Sequence, residues 1–218
     1  MESAIPAIRK EWACLKNFYK VWPHADLVYA IEYFKTFEVF HRLNEEEKLQ
    51  LVRWVVAICA HFTVSYFSYK MKKSVTYHPD GSTVRMKCVV DTPQKIEFHL
   101  ESIKRIRELD VDEKEYVLLK AMIVSDPTID GLSDYGRSVL EDQRAQYAKS
   151  LLSYMNAKRG PHKAPAQFLE MLRLIDWFRS VNEKRKEHHL LRAAVGIRPW
   201  VDASDSTKKR LLQDEIFL

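Results

Sequence analysis

Apolar residues recur every three or four positions along most of the chain, and this spacing places them on one face of an α-helix. Proline, glycine and capping residues set the bounds of the predicted helices. These helices cover residues 6–19, 25–43, 45–69, 93–109, 112–126, 134–156, 165–194 and 207–217. Alternating apolar and polar residues at 74–90, around the turn Pro79-Asp80-Gly81, predict instead one small β-hairpin. The pattern favours an all-α fold with one inserted hairpin, in a single domain covering residues 1–218.

The predicted helix at 45–69 differs from the others because its second half is apolar on nearly every side. Such a helix usually passes through the centre of a protein. The stretch from Val55 to Tyr69 also contains His61, Thr63 and Ser65, so no uninterrupted apolar run reaches the length of a membrane span. We therefore expect a buried core helix and no membrane partner.

Composition narrows the function classes. The 218 residues include only 5 Gly and 8 Pro, and 46% are hydrophobic, which suits a packed globular domain. The 35 basic and 30 acidic residues are interleaved, which is typical of a solvated helical surface and unlike a concentrated nucleic-acid-binding stripe. The three widely spaced cysteines, Cys14, Cys59 and Cys88, indicate buried thiols in a reducing compartment. Since Met1-Glu2-Ser3 does not begin a secretory signal, we expect a cytosolic or nuclear location.

Residues 33–53 form the most informative segment. One amphipathic helix ends near Leu43, and Asn44 can cap the next helix, whose first turn carries Glu45-Glu46-Glu47, where the helix dipole favours negative charge. The junction leaves basic side chains on both helices around an apolar strip. The basic residues are Lys35, Lys48 and Arg53, and the apolar strip includes Leu49. A basic-rimmed apolar groove of this kind suits a short amphipathic helix of a partner protein.

Four ordered blocks of sequence resemble the ligand-binding domain of nuclear hormone receptors. The first block contains Phe34-Lys35, Phe40, Leu43, Glu47-Lys48 and Leu51-Val52-Arg53. The second contains Glu115, Leu119-Lys120-Ala121, Ser125-Asp126-Pro127 and Gly131-Leu132-Ser133. The third contains Phe168, Arg179-Ser180 and His188-His189-Leu190, and the fourth is Leu211-Leu212-Gln213-Asp214-Glu215-Ile216-Phe217. The first block departs from the usual form, which has Asp-Gln at Glu47-Lys48 and Leu-Leu at Leu51-Val52. The second is similar to the helix 8–9 segment of retinoid-X-like receptors. Residues 33–37 and 65–69 resemble the divergent supplementary receptors of nematodes.

The resemblance implies a three-layer antiparallel helical sandwich, a nuclear location and a role in ligand-regulated transcription. It implies that LxxLL co-regulator proteins bind the groove of Lys35, Lys48, Leu49 and Arg53, and that an acid of the activation helix, about residues 207–217, completes the clamp. Glu215 is the preferred acid because it directly precedes Ile216-Phe217, whereas Asp214 fits the spacing from Leu211-Leu212. Taken alone, Lys35 is better explained as a solvated surface lysine; the groove is favoured by its order with Lys48, Leu49, Arg53 and the terminal helix. The family's zinc-finger DNA-binding module is not within these residues, so contact with DNA would come from a separate domain.

The resemblance also implies an internal pocket for a small lipophilic ligand. Its candidate lining residues are Ile31, Phe34, Cys59, Phe62, Thr63 and Tyr66. Plain core packing is the alternative for each of them. Family members that bind carboxylic acids often carry an arginine late in helix 5, where this chain has Tyr66-Phe67, and burying an unpaired carboxylate is costly. A neutral lipid, or a pocket filled by side chains, therefore fits this sequence better than a fatty acid.

Two further roles follow from the resemblance. The helix 10/11 segment implies a homodimer or heterodimer surface at Leu172, Ile175, Phe178 and Arg179, with Arg185 among the charges at its rim; the alternative is the charged outer face of a monomer. Glu115 matches a glutamate that often pairs with a basic residue near helices 9 and 10, although the sequence does not identify that partner.

No residue pattern predicts catalysis, a cofactor or a metal. His188 and His189 are helix neighbours whose side chains point about 100° apart, so they do not form a metal site by themselves. Asp110, Asp112 and Glu113 are better explained as a helix start than as an acid/base pair. The sequence contains no nucleophile elbow or phosphate loop. The main alternative function is a ligand-independent helical scaffold or adaptor that binds protein partners constitutively.

Overall fold

The computed structural model describes residues 21–79 and 93–194. This part of the chain contains seven α-helices. They are α1 (Val21–Phe34), α2 (Glu38–Arg42), α3 (Glu45–Lys70), α4 (Pro93–Glu108), α5 (Glu113–Val124), α6 (Asp134–Arg159) and α7 (Ala164–Ala194). The predicted all-α class is confirmed.

Capping boxes fix the starts of α3 and α5 at the predicted positions. The Asn44 side chain accepts a hydrogen bond from the Glu47 amide at 2.9 Å, and the Glu47 carboxylate accepts one from the Asn44 amide at 3.0 Å. Asp112 and Glu115 repeat the arrangement with distances of 2.8 and 2.9 Å. Each box pairs two amides that a helix start leaves without an internal partner.

The single predicted helix over residues 25–43 is wrong. Helix α1 ends at Phe34, and the amides of Thr36 and Phe37 bond to carbonyls three residues earlier, at 3.1 and 3.0 Å. Phe37 is then extended, with φ −89° and ψ 129°, before α2 begins. Tightening of a last turn needs no glycine or proline, which explains why the pattern did not reveal the break.

Helix α3 is the central element of the fold. It packs against α1, α4, α5 and α7, while α6 packs against α2, α5 and α7. By length and apolarity α3 is the one helix of residues 21–79 and 93–194 that could cross a membrane, but 67% of its most apolar window is buried inside the protein. This is the packing of a core helix, as predicted, and it agrees with a layered helical sandwich that has α3 in the middle layer.

Several sequence predictions fall outside the described residues. The helices at 6–19 and 207–217 are among them, as is most of the predicted hairpin at 74–90. Residues 74–79 are described and are not helical. The Thr76 hydroxyl lies 2.9 Å from His99 Nδ1, and the Tyr77 amide donates to the Ser68 hydroxyl at 2.9 Å, so this segment is anchored to α3 and α4.

Buried ion pairs connect the α5 region to α6 and α7. Arg159, at the end of α6, pairs with the fully buried carboxylate of Glu115. This is the basic partner that the sequence did not identify. The buried carboxylate of Asp126 similarly pairs with Arg144 at 3.2 Å and with Arg179 of α7. Both acids join the α5 region to later helices.

Candidate functional site

Lys35 lies on the surface immediately after α1. Its side chain is half exposed and forms an ion pair with Glu32 at 2.6 Å. Its carbonyl oxygen is 2.7 Å from His41 Nε2, which ties the turn to α2. Exposed ion pairs between neighbouring turns contribute about 0–1 kcal/mol. The ammonium group can therefore exchange Glu32 for another acceptor at little cost.

Lys48 and Leu49 lie in the first turns of α3, next to α2. The Lys48 ammonium group pairs with Glu45 at 2.7 Å and sits 5.7 Å from the centre of the Phe40 ring. Leu49 is 57% exposed, although it belongs to the most buried helix of the fold. Arg53 is one turn further along, on the same side of α3 as Leu49, and is exposed.

These contacts give a continuous surface from the end of α1 across α2 to α3. His41 holds the Lys35 carbonyl, and the adjacent Phe40 lies beneath Lys48. The surface offers an exposed apolar side chain beside basic groups, which is what the carbonyl end of a short amphipathic helix needs. Glu215 and its rival Asp214 lie outside the described residues, so the acidic end of the clamp stays a prediction.

Glu47 anchors this surface to the rest of the fold. Its carboxylate accepts hydrogen bonds from the Ser133 amide at 3.0 Å and from the Ser133 hydroxyl at 2.5 Å. Burial alone would raise the pKa of Glu47, but the hydrogen bonds from Ser133 and Asn44 outweigh it and hold the pKa below its ordinary value. Glu47 is therefore charged at neutral pH and fixes the start of α3 against the start of α6.

The predicted pocket residues lie at the inner faces of α1 and α3. Phe34, Cys59, Phe62 and Tyr66 are buried, while Ile31 and Thr63 are partly buried. Burial raises the pKa of the Cys59 thiol to about 11, so the thiol is neutral and unreactive at physiological pH.

Three of the predicted pocket residues contact Tyr116 of α5. The Tyr66 ring stacks on the Tyr116 ring with their centres 4.0 Å apart, and the centre of the Phe62 ring lies 5.2 Å from that of the Tyr116 ring. The Tyr116 hydroxyl donates to Thr63 at 3.1 Å. These are the contacts of core packing, the alternative to a pocket at these positions, and the ligand role of these residues stays a prediction.

A buried polar cluster that sequence reasoning missed lies between α3, α4 and α7. His61 is only 5% exposed, and its ring is 5.0 Å from the Phe178 ring and 4.9 Å from the His99 ring. Burial, with smaller effects from Arg185 and His99, lowers the pKa of His61 well below its ordinary value, so the imidazole is neutral. The signal in the sequence was a single histidine within the apolar run Val55–Phe62.

Asn182 and Arg185 complete the cluster from α7. Asn182 is 1% exposed, and neither its amide nitrogen nor its carbonyl oxygen has a hydrogen-bond partner within residues 21–79 and 93–194. Burial lowers the pKa of Arg185 to about 10, which leaves the guanidinium charged at neutral pH. The side chain of Arg185 is partly buried, and its expected place at the rim of a dimer surface stays a prediction.

The predicted dimer residues of α7 divide into two groups. Ile175 and Phe178 are 2% and 1% exposed and belong to the core of this chain. Arg179 points towards Asp126 and also lies 3.5 Å from Asp176. Leu172 is partly buried, and Leu169 one turn away is 48% exposed. A dimer contact of α7 stays a prediction, and of its four residues Leu172 has the environment that such a contact requires.

The described residues contain no group of three or more His, Cys, Asp or Glu side chains that could hold a metal ion. What this part of the chain offers is an exposed surface with apolar and basic side chains on one side of α3 and a polar cluster at its buried face. Neither arrangement has the paired acid, base or nucleophile that catalysis requires.

This helical fold agrees with the comparison to known families. Residues 8–192 match the ligand-binding domain of nuclear hormone receptor. The chain therefore belongs to this family, and the resemblance noted in its sequence is confirmed. Because domains of this family are transcription-factor modules and not enzymes, the prediction that the chain is not an enzyme is also confirmed.

Individual relatives place the chain among the divergent nematode members of the family. It is 29% identical over 80% of its length to nuclear hormone receptor family member nhr-60 of Caenorhabditis elegans, and it covers 38% of that protein. It is 28% identical over 77% of its length to member nhr-154 of the same organism and covers 37% of that protein. It is 29% identical over 75% of its length to member nhr-209, of which it covers 41%. The chain thus spans about two fifths of the length of these relatives.

Proposed function

We propose that the chain is the ligand-regulated domain of a nuclear transcription factor and recruits LxxLL co-regulator proteins. The docking surface consists of Lys35, Lys48, Leu49 and Arg53. A small lipophilic ligand binds inside the domain, and contact with DNA is made by a separate zinc-finger domain of the full-length protein. The domain itself performs recognition and signalling, and no chemistry.

The exposure of Leu49 is the observation that carries this proposal. An apolar side chain that is 57% exposed beside basic groups is an ordinary surface feature when alone. Here it lies on a helix that is buried from Val55 to Phe62 and whose start is locked by Glu47 and Ser133. A rigid apolar site with cations at its edge favours a docked helix, because little ordering is needed on binding.

The electrostatics of the proposed complex follow from the ends of the partner helix. Its last carbonyls have no internal partners and carry partial negative charge, so Lys35 donates to them and complements the helix dipole. Its first amides need an acceptor, and we assign that role to Glu215 of the C-terminal segment, with Asp214 as the alternative. An internal ligand promotes co-regulator binding only if it binds the domain more tightly when the C-terminal segment is docked than when that segment is undocked.

Titration with a fluorescent LxxLL peptide tests this proposal. Lys35→Ala and Glu215→Ala each remove one end of the clamp, and we expect the dissociation constant to rise about twofold to fivefold for each, because a charge at a helix terminus contributes about 0.3–1 kcal/mol. Lys149→Ala is the matched control because Lys149 is an exposed lysine on α6. An unchanged affinity for both clamp variants, or an equal loss for the control, would contradict the proposal.

A further inference from the structure

We infer that Lys120 of α5 positions the turn 35–37 and thereby sets how strongly Lys35 holds a docked partner helix. This role rests on the proposed function, in which Lys35 binds the carbonyl end of that helix. Lys120 belongs to the second block of the family resemblance, and neither the docking surface nor the predicted pocket includes it. It is a positioning residue, because it acts on the partner only through the turn.

The ammonium group of Lys120 lies over an aromatic ring of α1. Its nitrogen is 3.9 Å from the centre of the Tyr33 ring and 5.8 Å from the centre of the Tyr116 ring. A cation at such a distance is attracted by the negative face of the ring. Lys120 is partly buried, and burial raises the pKa of Tyr33 above its ordinary value. Both partners have therefore lost part of their water, which strengthens the attraction.

Tyr33 connects this contact to the turn 35–37. Its carbonyl oxygen accepts hydrogen bonds from the Thr36 amide at 3.1 Å and from the Thr36 hydroxyl at 2.6 Å. Its ring meets the Phe37 ring edge to face, with the ring centres 4.9 Å apart and the planes at 83°. Lys35 lies in the chain between these attachment points. A shift of the Tyr33 ring therefore moves the backbone that presents Lys35.

Other contacts of the turn depend on packing and hydrogen bonding. The Phe37 ring also meets the ring of Tyr147 on α6, with the centres 6.2 Å apart. The Lys35 carbonyl oxygen lies 2.7 Å from His41 Nε2. Lys120 differs because it attracts the turn through its formal charge. A neutral side chain of similar length can fill the same space without that attraction, so the contribution of the charge can be measured by itself.

Lys35 depends on such support because its own side-chain contact is weak. Its ion pair with Glu32 at 2.6 Å is exposed on both sides, and exposed pairs of this kind do little to fix a backbone. The measured dissociation constant of a partner rises as the fraction of molecules with the turn in its docking arrangement falls. A residue that stabilises this arrangement therefore increases affinity without touching the partner.

Titration of the Lys120→Met variant with the fluorescent LxxLL peptide tests this role. Methionine keeps much of the length of lysine but has no charge, so we expect the dissociation constant to rise about twofold to fivefold. The rise should not exceed that of Lys35→Ala, through which the effect operates. Lys120→Arg should retain the wild-type affinity, because a guanidinium also binds the face of an aromatic ring.

Lys114→Met is the matched control on the same helix. Lys114 also lies over a tyrosine ring, with its nitrogen 5.3 Å from the centre of the Tyr154 ring, but this contact joins α5 to α6 and does not involve the turn 35–37. The control removes a lysine from the same type of contact, so we expect it to leave the peptide affinity unchanged.

A double-mutant cycle separates positioning of Lys35 from a general effect on stability. If Lys120 acts through Lys35, Lys120→Met should cause no further loss of affinity in the Lys35→Ala background. Hydrogen exchange without peptide gives a second readout, in which Lys120→Met should speed exchange at residues 35–37 and leave the buried part of α3 unchanged. A purely structural lysine would instead weaken peptide binding to the same extent in both backgrounds.

Two results would overturn this role of Lys120. One is an unchanged peptide affinity for Lys120→Met in a protein that Lys35→Ala does weaken, and the other is an equal loss with and without Lys35. Both leave the docking surface intact. If Lys35→Ala and Glu215→Ala have no effect, the docking surface itself fails and the role of Lys120 fails with it, so the two failures are distinguishable.

Discussion

Replacement of Gly136 by alanine tests how the docking surface is fixed to the fold. Gly136 lies in the first turn of α6, three residues after the cap Ser133, and a Cβ atom added to it would be 2.3 Å from Glu47 Oε1 and 2.9 Å from Glu47 Cδ. No real Cβ atom tolerates such a contact, so the carboxylate has to move by roughly 1 Å to reach van der Waals distance. That movement breaks its hydrogen bonds to the Ser133 amide and hydroxyl.

Two opposing terms set the size of the effect. Weakening the paired hydrogen bonds to a buried carboxylate costs about 2–4 kcal/mol. Alanine in place of glycine in a helix returns about 0.5–1 kcal/mol. We therefore expect Gly136→Ala to lower the free energy of unfolding by about 2 kcal/mol, which corresponds to a melting temperature about 4–8 °C lower for a chain of this length.

A double-mutant cycle isolates the cause. Glu47→Ala removes the obstacle, so adding Gly136→Ala in that background should be neutral or should raise stability by the helix-propensity term alone. The assay is urea denaturation of the wild type, both single variants and the double variant, followed by circular dichroism. If Gly136→Ala has the same effect with and without Glu47, the proposed contact does not determine the geometry of this junction.

Two other predictions concern buried and partly buried charges. Arg159→Met leaves the fully buried Glu115 without its ion-pair partner, and we expect a loss of about 3–5 kcal/mol in urea denaturation, against less than about 0.5 kcal/mol for the exposed control Arg173→Met. Burial would raise the pKa of Asp112, but the Glu115 amide, Lys158 and Tyr154 lower it to about 2, below the ordinary 3.8. Because the folded-state pKa is the lower one, this carboxylate stabilises the fold above about pH 4, and the contribution is lost as the pH falls towards 2. Asp112→Asn keeps a capping side chain, so it should cost about 2 kcal/mol at pH 7 and almost nothing near pH 2. A difference that is independent of pH would refute the electrostatic origin.

Sequence patterns located most helices because their ends depend on local chemistry. Asn44 and Asp112 cap the helices that follow them, and the resulting starts at Glu45 and Glu113 are those expected. The break after Phe34 was not predicted, because it depends on how the last turn of α1 tightens and no glycine or proline marks it. Amphipathic periodicity continues across Phe37 and Phe40, so a helical pattern alone joins α1 and α2 into one element.

Tertiary partners were harder to predict than elements. Arg159 is 44 positions from Glu115, and several other basic residues of α6 have similar local surroundings, so the sequence could not single it out. Asn182 and Arg185 share a stripe with the buried Phe178, but a polar residue on such a stripe is ambiguous until the packing of α7 is known. Only His61, alone in an apolar run, carried a signal that sequence reasoning could have used.

Hydrogen exchange with and without a saturating LxxLL peptide tests the docking surface most directly. The amides of the turn 35–37 form only the last bonds of α1, where a helix frays, and the first amides of α2 and α3 have no carbonyl partner within their own helix, so this segment reports binding at the surface. We predict that the peptide slows exchange at residues 35–44, and that Lys35→Ala reduces this protection at equal peptide concentration. Protection confined to the outer faces of α6 or α7, with residues 35–44 unchanged, would contradict it.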